Sequence, residues 1–197
     1  MPDVLTSVCV YCGSSPGADP RFGDVTDELG QLIAERGLRL VYGGGHVGLM
    51  GRVADAVLDG GGDVHGVITR ALEDKEVAHA GLTDLDVVDT MHERKARMSD
   101  LADGFIMLPG GFGTLDEYFE ALTWTQLGVH SKPCAILDVN GYFEPLIAFI
   151  ASAAELRFVR PEHRDMLITG TDPASVLDEM AGWQPPDTDK WLDRRDR

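Results

Sequence analysis

The sequence predicts an α/β fold in which a mostly parallel sheet is covered on both faces by helices, and three observations predict it. Short apolar runs alternate with longer segments of helical periodicity along nearly the whole chain. Three of those runs end in glycine-containing turns, at 12–17, 43–48 and 109–113. Each turn leads into a helical pattern, which is the strand–turn–helix order of parallel sheets.

The elements follow in order. Val4 to Tyr11 reads as a strand, and Pro20 to Arg36 as a helix stopped by Gly37. Leu38 to Tyr42 is a second strand. Gly43-Gly44-Gly45 then leads into a helix running through Leu58, which Gly60-Gly61-Gly62 ends. Strands are expected at Val64 to Thr69 and Leu85 to Val88, with an irregular, partly helical connection between them. Met91 to Leu101 reads as a helix and Gly104 to Leu108 as a buried strand. A helix is expected from Thr114 to Leu127, a strand from Pro133 to Val139 and a turn at Asn140-Gly141. Tyr142 to Ala153 is helical, Met166 to Thr169 is a short strand, and Pro173 to Ala181 closes the series. The reading gives a single domain over residues 1–182 and a polar tail at 183–197.

Composition narrows the functional classes. The 197 residues carry a formal net charge of -16, which argues against broad nucleic-acid binding. The basic cluster of note is Arg94-Lys95-Ala96-Arg97. No apolar run approaches the ~20 residues needed to span a bilayer, so no membrane partner is expected. No signal segment opens the chain, and its three cysteines fit a reducing cytoplasm. Cys9 and Cys12 form a C-x-x-C, but they fall on or at the end of the first strand, three positions apart and so on opposite faces. They are read as core and strand-end residues.

In open parallel sheets, ligands bind beyond the carboxyl ends of the strands, near a reversal in strand order. The three glycine turns should meet there. Pro109-Gly110-Gly111-Phe112-Gly113-Thr114-Leu115-Asp116-Glu117 is the most informative of them. A strand feeding a glycine-rich turn into a helix N-terminus builds an anion site, because close backbone approach combines with unpaired amides. Thr114-x-x-Glu117 also reads as a capping box, with Glu117 on the first turn. Asp116 reads as an acid complementing the helix dipole.

Other motifs are weaker. Gly43-x-Gly45-x-x-Gly48 matches dinucleotide-binding spacing, but it follows the second strand, and Asp63 precedes the next strand instead of closing it. Its glycines are left with two readings, tight helix–strand packing or direct ligand contact. Arg94 falls at a strand-to-helix transition from which its planar fork could reach an anion at the same edge. Arg97 is read as a solvated basic residue. The six histidines show no metal-ligand spacing, and no Gly-x-Ser-x-Gly elbow is present.

Pro109 to Glu117, with Met91-His92-Glu93-Arg94-Lys95 upstream, resembles the Lonely Guy family of cytokinin riboside 5′-monophosphate phosphoribohydrolases, whose members often carry the label lysine decarboxylase. The similarity extends through Tyr42 to Gly51, Thr123 to Gly128 and Asp138 to Tyr142. It implies a Rossmann-like three-layer sandwich, a homodimer without cofactor, and hydrolysis of a nucleoside 5′-monophosphate to free base and ribose 5-phosphate. Arg94 and Glu117 would then be the catalytic pair. The turn Gly110, Gly111, Phe112, Gly113 and Thr114 would hold the 5′-phosphate, Leu115 and Asp116 would also contact substrate, and Lys95, Thr123 and Glu76 would line the substrate pocket. A lysine decarboxylase would need a Schiff-base lysine for pyridoxal phosphate, and Lys95 beside Arg94 better suits anion contact. The rival reading is a nucleotide or molybdenum-cofactor carrier of similar fold without turnover.

Overall fold

A computed structural model describes residues 5–73 and 78–185. The elements are β1 (Ser7–Tyr11), α1 (Pro20–Glu35), β2 (Arg39–Tyr42), α2 (Gly48–Asp59), β3 (Val64–Thr69), α3 (Arg70–Glu73), β4 (Asp84–Val88) and α4 (Met91–Leu101). They continue with β5 (Phe105–Met107), α5 (Phe112–Gln126), β6 (Cys134–Leu137), α6 (Glu144–Glu155), α7 (Pro161–Arg164), β7 (Leu167–Gly170) and α8 (Pro173–Gly182).

The seven strands form one sheet in the order β4-β3-β2-β1-β5-β6-β7, and every ladder in it is parallel. Burial on both faces explains why β1, β3, β5 and β6 are apolar with little alternation. One core packs Leu29, Ile33, Leu49, Val53 and Val57 of α1 and α2, with Val176, Leu177 and Met180 of α8, against one side of the sheet. The other packs Met98 of α4 and Tyr118 and Ala121 of α5 against the opposite side. Cys9 belongs to the second core and Cys12 to the first, as their odd spacing requires. Burial pushes both thiols well up from the ordinary cysteine range and that of Cys134 up to about 12, so all three are inert thiols.

The chain winds from β1 outward through β2, β3 and β4, then returns beside β1 with β5 and continues the other way. The reversal therefore lies between β1 and β5. In register, Cys9 stands beside both Val41 of β2 and Phe105 of β5, which brings the carboxyl ends of these strands level.

Three local expectations are corrected. Helix α5 starts at Phe112 with Gly111 as N-cap, not at Thr114. Thr114 thus turns inward and buried in the first turn, Glu117 and Asp116 fall in the second, and no side chain caps this end. Glycine caps a helix nearly as well as a polar residue, so the helix could begin two residues earlier. The capping box forms instead at α4. There Thr90 Oγ1 accepts from the Glu93 amide at 3.1 Å, and Glu93 Oε2 accepts from the Thr90 amide at 3.0 Å. Finally, α6 begins at Glu144, because Asn140 and Gly141 take positive φ and Asp138 Oδ1 holds the Phe143 amide at 2.7 Å.

Candidate active site

The three glycine turns do meet, at the ends of β2, β1 and β5. The Gly13 amide donates to the Pro109 carbonyl at 3.0 Å, and the Gly13 carbonyl accepts from Leu49 at 3.0 Å and Met50 at 3.4 Å. Gly48 has φ +61°, and any β-carbon there would strike Ser14. These contacts settle which helix end remains open. The first amides of α2 are spent on Gly13. At α5 the first closed turn is Leu115 N–H to Gly111 O at 3.1 Å. The amides of Phe112, Gly113 and Thr114 have no acceptor among the described residues. A β-carbon on Gly111 or Gly113 would meet nothing within 4 Å, whereas one on Gly110 would collide with Thr114. Gly110 holds the turn closed, while Gly111 and Gly113 leave it accessible.

Beside these amides lie Arg94 and Glu117. The capping box fixes the start of α4, and Arg94 follows on its first turn, buried under the sheet edge. Its guanidinium donates from Nε to Val67 O at 2.9 Å, from Nη2 to Gly43 O at 3.0 Å, and from Nη1 to Glu117 Oε1 at 3.0 Å. The side chains of Arg94 and Glu117 are 6% and 12% exposed, so this ion pair faces little screening solvent. A cavity of about 240 Å³ is lined by both of them together with Cys12, Ser14, Met50 and the Gly111–Thr114 turn. It joins a fixed cation, a carboxylate and open amides within one recess.

The remaining sequence candidates divide. Phe112 stands at the mouth, 93% exposed. Lys95 and Asp116 face each other: the ammonium lies 3.2 Å from Asp116 and 3.0 Å from Glu120, tying α4 to α5. Burial would lower the Lys95 pKa, but hydrogen bonds to Glu120 and Asp116 outweigh it and raise it. Leu115 packs toward the second core. Thr123 is exposed and donates to Phe119 O at 2.6 Å, six residues beyond Glu117 and so about 9 Å further along the helix. The structure does not bring it into the cavity. Glu76 lies outside the described residues.

The sequence reading did not foresee the part played by Gly43. A β-carbon on it would overlap the Arg94 Nη2, so this glycine is needed for the arginine to reach its place. The signal was the glycine run after β2, but neither of its two readings named a side chain as the neighbour. Ser14 and Tyr142 also went unnamed as site neighbours. Tyr142 reaches over the turn, and its hydroxyl donates to Gly110 O at 2.6 Å.

Fold and site together define a doubly wound α/β protein with an anion-ready helix N-terminus at its topological switch and a buried Arg–Glu pair beside it. A family model described as "Possible lysine decarboxylase" matches residues 50–180. The chain is 50% identical to the cytokinin riboside 5′-monophosphate phosphoribohydrolase of Rhodococcoides fascians over 84% of each chain. It is 43% identical to the enzyme of that name, LOG, from Oryza sativa subsp. japonica, covering 90% of this chain and 74% of the relative. The chain belongs to this family, the Lonely Guy proteins. Solved structures of similar fold include the molybdenum cofactor binding protein from Rippkaea orientalis, at TM-score 0.68 and 21% identity over 90% of this chain and 96% of that one. The molybdenum cofactor carrier protein of Chlamydomonas reinhardtii is another, at TM-score 0.70 and 18% identity over 91% and 99%. At those identities the likeness is one of fold.

Proposed function

We propose that this protein hydrolyses the N-glycosidic bond of a nucleoside 5′-monophosphate, of the cytokinin riboside or AMP type, to free base and ribose 5-phosphate. The observation that carries this reading is the Arg94–Glu117 pair, 3.0 Å apart beside the open amides of α5. The 5′-phosphate would sit on the Gly111–Thr114 turn, where helix amides and dipole favour an anion. As the bond from C1′ to the base nitrogen breaks, its electron pair leaves with the base and positive charge grows on the ribose, an oxocarbenium-like state. Glu117 would stabilise that charge and take the proton of the water whose oxygen bonds to C1′. Arg94 would orient Glu117 and stabilise the departing base. The proton that Glu117 takes from the water would pass to the base nitrogen, so that neutral base leaves and the carboxylate is restored.

Lys95 and Asp116 enter this reading as a clamp beside the pocket, with Phe112 at its mouth. A carrier without turnover, of the molybdenum-cofactor type, would need the glycine turns but not a buried carboxylate held by an arginine.

The homodimer reading has its own support. Helix α6 is rich in apolar residues, yet Leu146 and Ile147 are no more than partly buried against the second core. Phe149 on the helix and Leu156 and Phe158 just beyond it are 69%, 68% and 87% exposed. Such a patch on a lone chain marks an association surface. The inert thiols fit the cytoplasm, and no described helix is long and apolar enough to cross a membrane. Incubation with AMP and with isopentenyladenosine monophosphate, followed by chromatography for free base, tests the proposal. Release of base with ribose 5-phosphate supports it, and binding of either nucleotide without release favours the carrier.

A further inference from the structure

Tyr142 lies outside the catalytic cavity, on the other side of the glycine turn. It belongs to the turn between β6 and α6, which is held from two directions. Asp138 Oδ1 accepts the Phe143 amide at 2.7 Å, and Asn140 Nδ2 donates to Asp19 Oδ2, the N-cap side chain of α1, at 3.1 Å. The Tyr142 ring packs edge-on against Phe22 of α1, with centroids 5.7 Å apart, and edge-on against Phe143 at 4.8 Å. Phe22 and Tyr142 line a second, more apolar cavity of about 310 Å³ that shares Gly13, Ser14 and Gly111 with the catalytic one. So braced, the phenol hydroxyl donates to the Gly110 carbonyl at 2.6 Å.

That bond acts on the peptide joining Gly110 to Gly111. A trans peptide is planar, with its C=O and N–H pointing opposite ways, and the described residues contain no cis bond. Tying the carbonyl toward Tyr142 therefore turns the Gly111 N–H away from Tyr142, and Gly111 lines the cavity that holds Arg94 and Glu117. With a glycine on either side and open space around Gly111, the peptide has no side chain of its own to hold its orientation. A rotated peptide would present a carbonyl oxygen where an anion needs a donor.

We propose that Tyr142 is a positioning residue for the 5′-phosphate site, its hydroxyl holding the Gly110–Gly111 peptide with the amide toward the anion. This rests on the reading of the Gly111–Thr114 turn as the phosphate site. Tyr142→Phe tests it, since the ring is 45% exposed and its packing on Phe22 survives loss of the hydroxyl. The measurements are the Kd of ribose 5-phosphate by calorimetry, and KM and kcat for nucleoside monophosphate hydrolysis. The expected result is a rise of about threefold to tenfold in Kd and KM, the worth of one hydrogen bond, with kcat and the Kd of free adenine little changed. An unchanged Kd for ribose 5-phosphate overturns the proposal, as does a loss confined to kcat or an equal weakening of adenine. If the wild type binds ribose 5-phosphate but hydrolyses no nucleotide, the hydrolase reading fails while the Kd ratio still judges Tyr142. If it binds no ribose 5-phosphate, the anion site itself is gone and the role of Tyr142 with it.

Discussion

The Arg94 guanidinium donates to the Gly43 carbonyl at 3.0 Å, and a β-carbon on Gly43 would stand where its Nη2 lies. The glycine run after β2 therefore serves the arginine as a seat. Together with the Val67 carbonyl it fixes two edges of the fork, leaving the third to Glu117. An arginine so held costs no ordering when a ligand arrives.

Gly43→Ala isolates that seat. Gly43 is absent from the positive-φ residues, so alanine fits the backbone and the side chain of Arg94 must yield. The expected outcome is a kcat/KM lower by about 100-fold, as for a catalytic group displaced by an ångström, with the far-UV circular dichroism of the wild type. Steady-state kinetics with a nucleoside monophosphate would check it, and unchanged kinetics would remove Arg94 from the mechanism.

Glu117→Gln keeps an oxygen for Arg94 and removes the carboxylate proposed as the base. Turnover should fall by about 10²–10⁴-fold while calorimetry still detects nucleotide binding. Because the amide keeps a hydrogen bond to Arg94 but not the charge opposite that buried guanidinium, the Tm should fall while the far-UV circular dichroism stays that of the wild type. A variant that keeps its turnover would show that the carboxylate is only structural.

Phe149→Asp addresses the exposed face of α6. A charge in the middle of an apolar interface leaves an unpaired buried ion on association, whereas on a lone chain a residue 69% exposed tolerates it. Analytical ultracentrifugation should show a dimer for the wild type and a monomer for the variant. A wild type that sediments as a monomer at all concentrations would contradict the dimer.

His130 sets a pH response. Burial, with the charge of Lys132 adding to it, lowers its pKa from the ordinary 6.5 to about 4. Between those values the unfolded chain binds a proton that the folded chain refuses, so its contribution to stability is full above pH 6.5 and is lost as pH falls toward 4. His163 shifts in the same direction, and the lowered carboxylates Asp86, Asp103 and Asp172 act below the ordinary 3.8. His130→Asn cannot titrate and offers an oxygen near the Nδ1 that lies 3.2 Å from Thr125 Oγ1. Calorimetry between pH 7 and pH 4.5 should show a shallower fall in Tm for the variant than for the wild type. Parallel curves would mean that His130 is not the titrating group.

By itself the sequence determined the order of elements, because alternating apolar runs and periodic helices are local signals, and its motifs carried the resemblance to the family. It also placed three glycine turns at strand ends and singled out Arg94 and Glu117 through the motifs that hold them. What it could not assign was who touches whom. The T-x-x-E signature occurs at both 90–93 and 114–117, and only packing decides which one caps: Gly111 starts α5 early, and Glu117 is drawn to Arg94 instead. Lys95 and Asp116, both expected to meet substrate, pair instead across two successive helices, 21 residues apart in the chain. The need for glycine at 43 and the reach of Tyr142 to Gly110 likewise depend on atoms 51 and 32 residues away. Propensity and periodicity are written in neighbouring residues, whereas the seating of a buried charge depends on which strand ends come together at the sheet's reversal.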